Sequence, residues 1–344
     1  MFRGVFEDTF FIQKYKCNCY VFELYNKFTA TKISIKMKNL LLLACCLLTC
    51  TLSFPQEMGH KESEVAISKH IDGTLLVPEQ GAKTLAIIIG GSGPTDRNGN
   101  QNFLKTNNLK KLAVGLAENG IATFRYDKRV VKQIRKGALD PNIMFDDFAK
   151  DAMDVIKFFR AENTFEKIFI LGHSQGSLVG ILASMDSVDG LVSIAGAGQS
   201  IDKVITEQIQ KTAPMLASEA ERVFSVLKKG KTTKDYPPAL ASIFDTDLQP
   251  FMANWMKYDP AEELKKLDIP VLVVNGTKDL QVSVEEAKLL NDAAKHSEFV
   301  LIEKMNHVLF IIEGDDQENA KSYNDHAGKV SEALITAVSA FINK

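Results

Sequence analysis

No cysteine occurs after Cys50 in this 344-residue chain; Cys17, Cys19, Cys45, Cys46 and Cys50 are the full complement. The remaining sequence therefore offers no disulfide, no cysteine-based metal site and no thiol nucleophile. A sustained basic run is also missing from the globular part. Forty-one Lys and Arg stand against 43 Asp and Glu, a formal net charge of −2, so composition gives no support to nucleic-acid binding. Internal repeats and low-complexity tracts are absent too. What the chain does have is 45% apolar residues, enough for a packed core in one large domain or two ordinary ones.

The apolar stretch 40–50 falls well short of the ~20 residues that a membrane-spanning helix needs. Read from Met37, it follows the basic residues Lys36 and Lys38 and ends in the small side chains Thr51 and Ser53, which is the pattern of an export signal cleaved near Ser53. Leu47-Leu48-Thr49-Cys50 also loosely matches a lipoprotein box, so a lipid-anchored form competes with a fully released one. Residues 1–36 lack clear periodicity and read as an extension upstream of a start at Met37. The chain is thus expected to be exported, periplasmic or secreted, with residues 54–344 forming the globular domain.

From Glu64 onward, short β-rich runs alternate with amphipathic helical patterns, the signature of a largely parallel sheet covered on both faces. Strands are expected at 74–77, 85–89, 122–126, 168–171, 191–194, 271–274 and 299–302. Several are continuously apolar, as strands buried on both faces should be. Leu109, Leu112, Ala113 and Leu116 share a helical face that stops at Gly120, a candidate C-cap. Phe148, Ala152, Val155 and Phe159 mark a second helix, Ser283 can start a third and 330–342 supplies the last. The interval 200–258 contains no strong strand and reads as a helical insertion.

Gly172-His173-Ser174-Gln175-Gly176 lies between the strand 168–171 and the helical run 177–183. This is G-x-S-x-G in strand–turn–helix context, where the chain reverses so tightly that the central residue is strained and side chains at the flanking positions would strike neighbouring backbone. Ser174 would then project at the strand's carboxyl end, with the following helix directing free N–H groups and its positive dipole end at the site. A Gly-rich turn with an incidental serine is the rival reading.

A serine hydroxyl needs a base, and the base needs an orienting carboxylate. Of the six histidines, His60 and His70 precede the sheet proper, His173 is expected to point away on the turn, His296 follows a helix and His326 sits in a polar loop. His307 follows the strand 299–302 by a short loop, where an open α/β sheet gathers its chemistry. Asp279 similarly follows the strand 271–274 through a glycine turn, whereas Asp268 precedes that strand and Asp292 falls on a helix. The backbone N–H groups of Gln175 and of Ser92, on the glycine-rich loop Gly90-Gly91-Ser92-Gly93-Pro94, are the candidate oxyanion donors, with Gly91 the alternate. A phosphate-binding loop is the competing reading there, but no Gly-Lys-Ser/Thr follows. Gly91 and Trp255 are the candidate substrate-binding residues; Phe251, Met252, Trp255 and Met256 read either as an acyl pocket or as the core of the insertion.

The order Ser174, Asp279, His307 and these loops resemble the α/β-hydrolase superfamily over most of the chain from about Glu64. More narrowly, the segments 91–100, 124–129, 172–176, 255–260 and 275–282 resemble a bacterial serine carboxylesterase group related to dienelactone hydrolases. The resemblance implies an α/β-hydrolase fold, a mostly parallel doubly wound sheet with a helical lid at about 200–258. It further implies serine-dependent hydrolysis of short-chain carboxylic esters, small-molecule substrates, and no metal or organic cofactor. Peptidase, thioesterase and acyltransferase activities share the same machinery, and a non-catalytic binding protein on the same scaffold is a further alternative. The chain departs from these relatives at Val130, where they often carry glycine, and from dienelactone hydrolases themselves, whose nucleophile is usually cysteine. Oligomeric state is not legible.

Overall fold

Among the described residues, eight strands build one sheet in the order β1-β2-β4-β3-β5-β6-β7-β8. They are β1 (His60–Ala66), β2 (Asp72–Pro78), β3 (Thr84–Ile89), β4 (Ala122–Tyr126), β5 (Lys167–His173), β6 (Gly190–Ile194), β7 (Pro270–Gly276) and β8 (His296–Ile302). This computed structural model describes residues 59–102, 104–185 and 188–344. The segment before Met37 and the expected export signal, 37–53, lie outside the described residues. β2 runs antiparallel to both β1 and β4, and every pairing from β4 through β8 is parallel.

The helices are α1 (Asn108–Glu118), α2 (Arg129–Arg135), α3 (Phe145–Glu162), α4 (Gln175–Ala183), α5 (Ile201–Thr212), α6 (Ala217–Lys228), α7 (Ala241–Phe244), α8 (Gln249–Trp255), α9 (Pro260–Leu264), α10 (Val284–Ala293), α11 (Asp316–Ser322) and α12 (Glu332–Ile342). Alternating residues of the central strands feed two separate cores. Leu85, Ile87 and Ile89 of β3 pack with Val155 and Phe159 of α3 and Leu290 of α10 in one cluster. Ala86 and Ile88 join Leu112 and Leu116 of α1 and Leu334 and Val338 of α12 in the other. A strand with helices on both faces must be apolar at every position, which is why β3 reads as a continuous run. Each fully buried Leu or Ile contributes roughly 1.5–3 kcal/mol.

α1 ends as its pattern predicts. Asn119 is the C-cap, Gly120 follows at φ +80°, and its N–H donates to the Ala117 carbonyl at 3.0 Å. No strand interrupts α5 to α8, so the interval 200–258 is a helical excursion between β6 and β7.

Two local expectations are corrected, and the departure at Val130 is accounted for. His60 does not precede the sheet; it begins β1, whose polar, mostly exposed sequence carries no strand signal because β1 is an edge strand with one neighbour among the described residues. At Val130 the chain turns directly into α2, where a β-branched residue is tolerated and a positive φ is not required. His173 does not point away: it closes β5 and is buried.

Candidate active site

The carboxyl ends of β3, β5, β7 and β8 bring together loops that are far apart in sequence. At the end of β5, Ser174 adopts φ 55° and ψ −122°, a left-handed conformation that costs a non-glycine residue about 1–3 kcal/mol. Its backbone is held there, with its N–H donating to the Ile194 carbonyl at 2.9 Å and its carbonyl accepting from Ser177 N–H at 2.9 Å. The flanking glycines are needed for room. A Cβ on Gly172 would collide with the Gly176 carbonyl, and one on Gly176 would collide with the Ile89 carbonyl. The strained turn thus presents the Ser174 side chain, half-buried, at the N-terminus of α4.

His307 Nδ1–H donates to Asp279 Oδ2 at 2.8 Å, and only 6% and 1% of the two side chains is exposed. The other oxygen of that carboxylate accepts from the N–H groups of Gln281 and Val282 at 2.8 and 2.9 Å, so its orientation is fixed before it meets the ring. Asn275, fully buried at the end of β7, donates to the Val282 and Ser283 carbonyls at 3.1 and 3.0 Å and closes the same loop. The sequence alone gives no role to this residue beyond its place in a motif.

Ser174 and His307 line one cavity of about 110 Å³, together with Gly91, Ser92, His173 and Tyr323. No hydrogen bond joins the Ser174 hydroxyl to the His307 ring. The discarded candidates meet elsewhere: His296 pairs with Asp268 at 3.0 Å, both largely exposed, at the amino ends of β7 and β8. His173 supports the backbone of His307. Its Nε2–H donates to the His307 carbonyl at 2.8 Å, and burial, aided by the neighbouring His307 ring, pulls its pKa down to about 4.

A second cavity, about 570 Å³, opens from the same serine. Ser92, Ser174 and Gln175 line it, and Leu178, Val204, Ile209 and Trp255 belong to its apolar wall. Ser92 borders both cavities; Gly91 borders only the smaller one. Neither the Ser92 nor the Gln175 backbone N–H has a protein acceptor among the described residues. The Ser92 carbonyl accepts from Thr95 Oγ at 2.7 Å and Gln101 Nε2 at 2.9 Å, which sets the direction of this loop. Trp255 is both wall and core, its ring stacked on Phe145 with centroids 5.3 Å apart. Phe251, Met252 and Met256 do not border the cavity and pack in or against the core. A larger hollow of about 860 Å³ along β8 contains none of the candidate residues.

This arrangement of strands and loops has relatives among solved structures. Est1E from Butyrivibrio proteoclasticus matches with a TM-score of 0.51 at 15% identity, covering 82% of this chain and 99% of that one. The chain has the α/β-hydrolase fold. The Pyrococcus furiosus esterase Pf2001 matches at a TM-score of 0.50 and 14% identity, over 83% of this chain and 92% of the other. In sequence, the family described as serine aminopeptidase, S33, matches residues 105–242 of this chain. Esterase EstD of Thermotoga maritima is 26% identical over 268 residues, 74% of this chain and 61% of the relative. The chain thus spans about three fifths of the length of that curated relative.

Proposed function

We propose that this α/β-hydrolase cleaves carboxylic esters of small, uncharged substrates by acyl transfer through Ser174. The observation that carries the reading is the buried Asp279–His307 bond beside a serine held in a strained turn on the same cavity. In the proposed sequence His307 takes the Ser174 proton as the hydroxyl attacks the ester carbonyl, and Asp279 stabilises the imidazolium. The Ser92 and Gln175 amides receive the oxyanion, His307 returns the proton to the leaving alcohol, and water then repeats the steps on the acyl-enzyme. Similarity in sequence to an esterase supports the same reaction class. The helices of 200–258 serve in this reading as the lid that carries the acyl wall.

An aminopeptidase is the second reading, favoured by the description of the family that matches 105–242. The chemistry of the two cavities argues against it. A free α-amino group needs a carboxylate partner when it is taken out of water, and among the described residues no Asp, Glu, Lys or Arg lines either cavity. The polar side chains of the larger one, among them Gln199, Gln208, Thr212 and Gln281, are neutral. A panel of p-nitrophenyl esters of rising chain length, run beside aminoacyl-p-nitroanilides and thioesters, separates these readings. Ester turnover that Ser174→Ala lowers by roughly 10³-fold or more is expected. Preference for the anilides, or ester turnover retained by Ser174→Ala, would overturn the proposal.

A further inference from the structure

Lys128, at the mouth of α2, is 4% exposed and has no carboxylate within ion-pair distance among the described residues. Its ammonium instead lies 4.8 Å from the centroid of the Phe148 ring and donates two hydrogen bonds. One goes to the Gly91 carbonyl, and the other, at 2.6 Å, to Gln175 Oε1. Burying a cation without a counter-ion is costly, so this placement calls for an explanation that packing does not provide.

The two acceptors supply it. The Gly91 carbonyl and the Ser92 N–H belong to one peptide group, and Gln175 carries the other proposed oxyanion donor on its own backbone. Drawing electron density toward the Gly91 oxygen polarises that amide and makes its N–H a stronger donor on the opposite side. The same amine fixes the separation of the β3 loop from the turn after β5. We propose that Lys128 is a positioning residue of the oxyanion site, orienting and polarising the Gly91–Ser92 peptide and tethering Gln175 without touching substrate. The proposal rests on the acyl-transfer reading given above. Burial pulls the Lys128 pKa down to about 7, and either protonation state retains enough N–H groups for both acceptors.

The test compares wild type with Lys128→Met, which keeps the stem against Phe148 and removes both donors. Wild type and Ser174→Ala on p-nitrophenyl butyrate first establish the reaction; if Ser174→Ala retains activity, it is the acyl-transfer reading that fails. With that settled, Lys128→Met is expected to lower kcat roughly 10- to 100-fold with KM changed by less than about threefold. A trifluoromethyl ketone, which forms a tetrahedral oxyanion on the serine, should lose affinity by a similar factor, while a non-reactive alcohol analogue binds as before. A kcat within about fivefold of wild type, or a loss carried by KM and by both inhibitors alike, overturns the proposal. Should Lys128→Met not yield folded protein, Lys128→Gln, a shorter neutral donor, is judged by the same split.

Discussion

His173 and His307 lie with ring centroids 5.0 Å apart, and their partners separate their roles. His307 faces a carboxylate and a cavity; His173 faces a backbone carbonyl and is enclosed. Unfolded, His173 takes up a proton near pH 6.5, but in the folded protein it resists protonation until about 4. Protonation therefore favours the unfolded chain. The contribution of this residue is full above about pH 6.5 and is lost as pH falls through about 4, a loss of about 3 kcal/mol. Denaturation followed from pH 7 to pH 4 should show the wild type losing more stability than His173→Gln, which retains an N–H donor but does not titrate. Parallel pH curves for the two proteins would contradict this account. Asp279 invites a different measurement. Asp279→Asn preserves the size of the side chain but removes the charge that steadies an imidazolium in the proposed mechanism, so kcat on esters should fall about 10³- to 10⁴-fold while the fold persists. A loss below about tenfold would assign that carboxylate to structure alone.

At the scale of elements, the helical excursion after β6 is fastened where α8 crosses the start of α3. Asp146 accepts from the Tyr258 hydroxyl at 2.7 Å and from Asn254 Nδ2 at 3.0 Å, and its own N–H donates to Asn254 Oδ1 at 3.0 Å. The Phe145–Trp255 stack lies beside this clasp. A hydrogen bond to a charged group is worth about 1.5–3 kcal/mol, so Tyr258→Phe should destabilise the protein by that order. Hydrogen exchange should quicken first in 249–255. Unchanged exchange there would show that packing alone holds α8. The central strands were readable because each alternate residue feeds one of two apolar cores, whereas β1, with residues such as Lys61, Glu62 and Glu64 on an exposed edge, offers no such pattern. α2 escaped notice for a similar reason: among its residues only Val131 is buried, so no apolar stripe marks it.

For the molecule as a whole, the sheet's topology converts residues 91, 174, 279 and 307 into neighbours. Position at a strand's carboxyl end is a local property of sequence, and it suffices to single out Asp279 and His307 from Asp268 and His296, which sit at the opposite end. Lys128 and the enclosed His173 were not readable in this way. A charged or polar side chain inside a short motif looks the same whether it faces water or the interior, and only the tertiary arrangement of β3, β5 and α3 buries it. The size and neutrality of the 570 Å³ cavity are likewise products of the assembled fold, since its walls come from α4, α5, α8 and the loop after β7.

The central claim is that this assembly makes one hydroxyl nucleophilic. Exposure of the folded protein to a fluorophosphonate, with the site of addition read by peptide mass spectrometry, tests it most directly. The account predicts a single adduct on Ser174 that is lost on heat denaturation before exposure and is slowed by roughly 10³-fold or more in His307→Ala. Folded protein that takes up no label, or labels elsewhere, would contradict it.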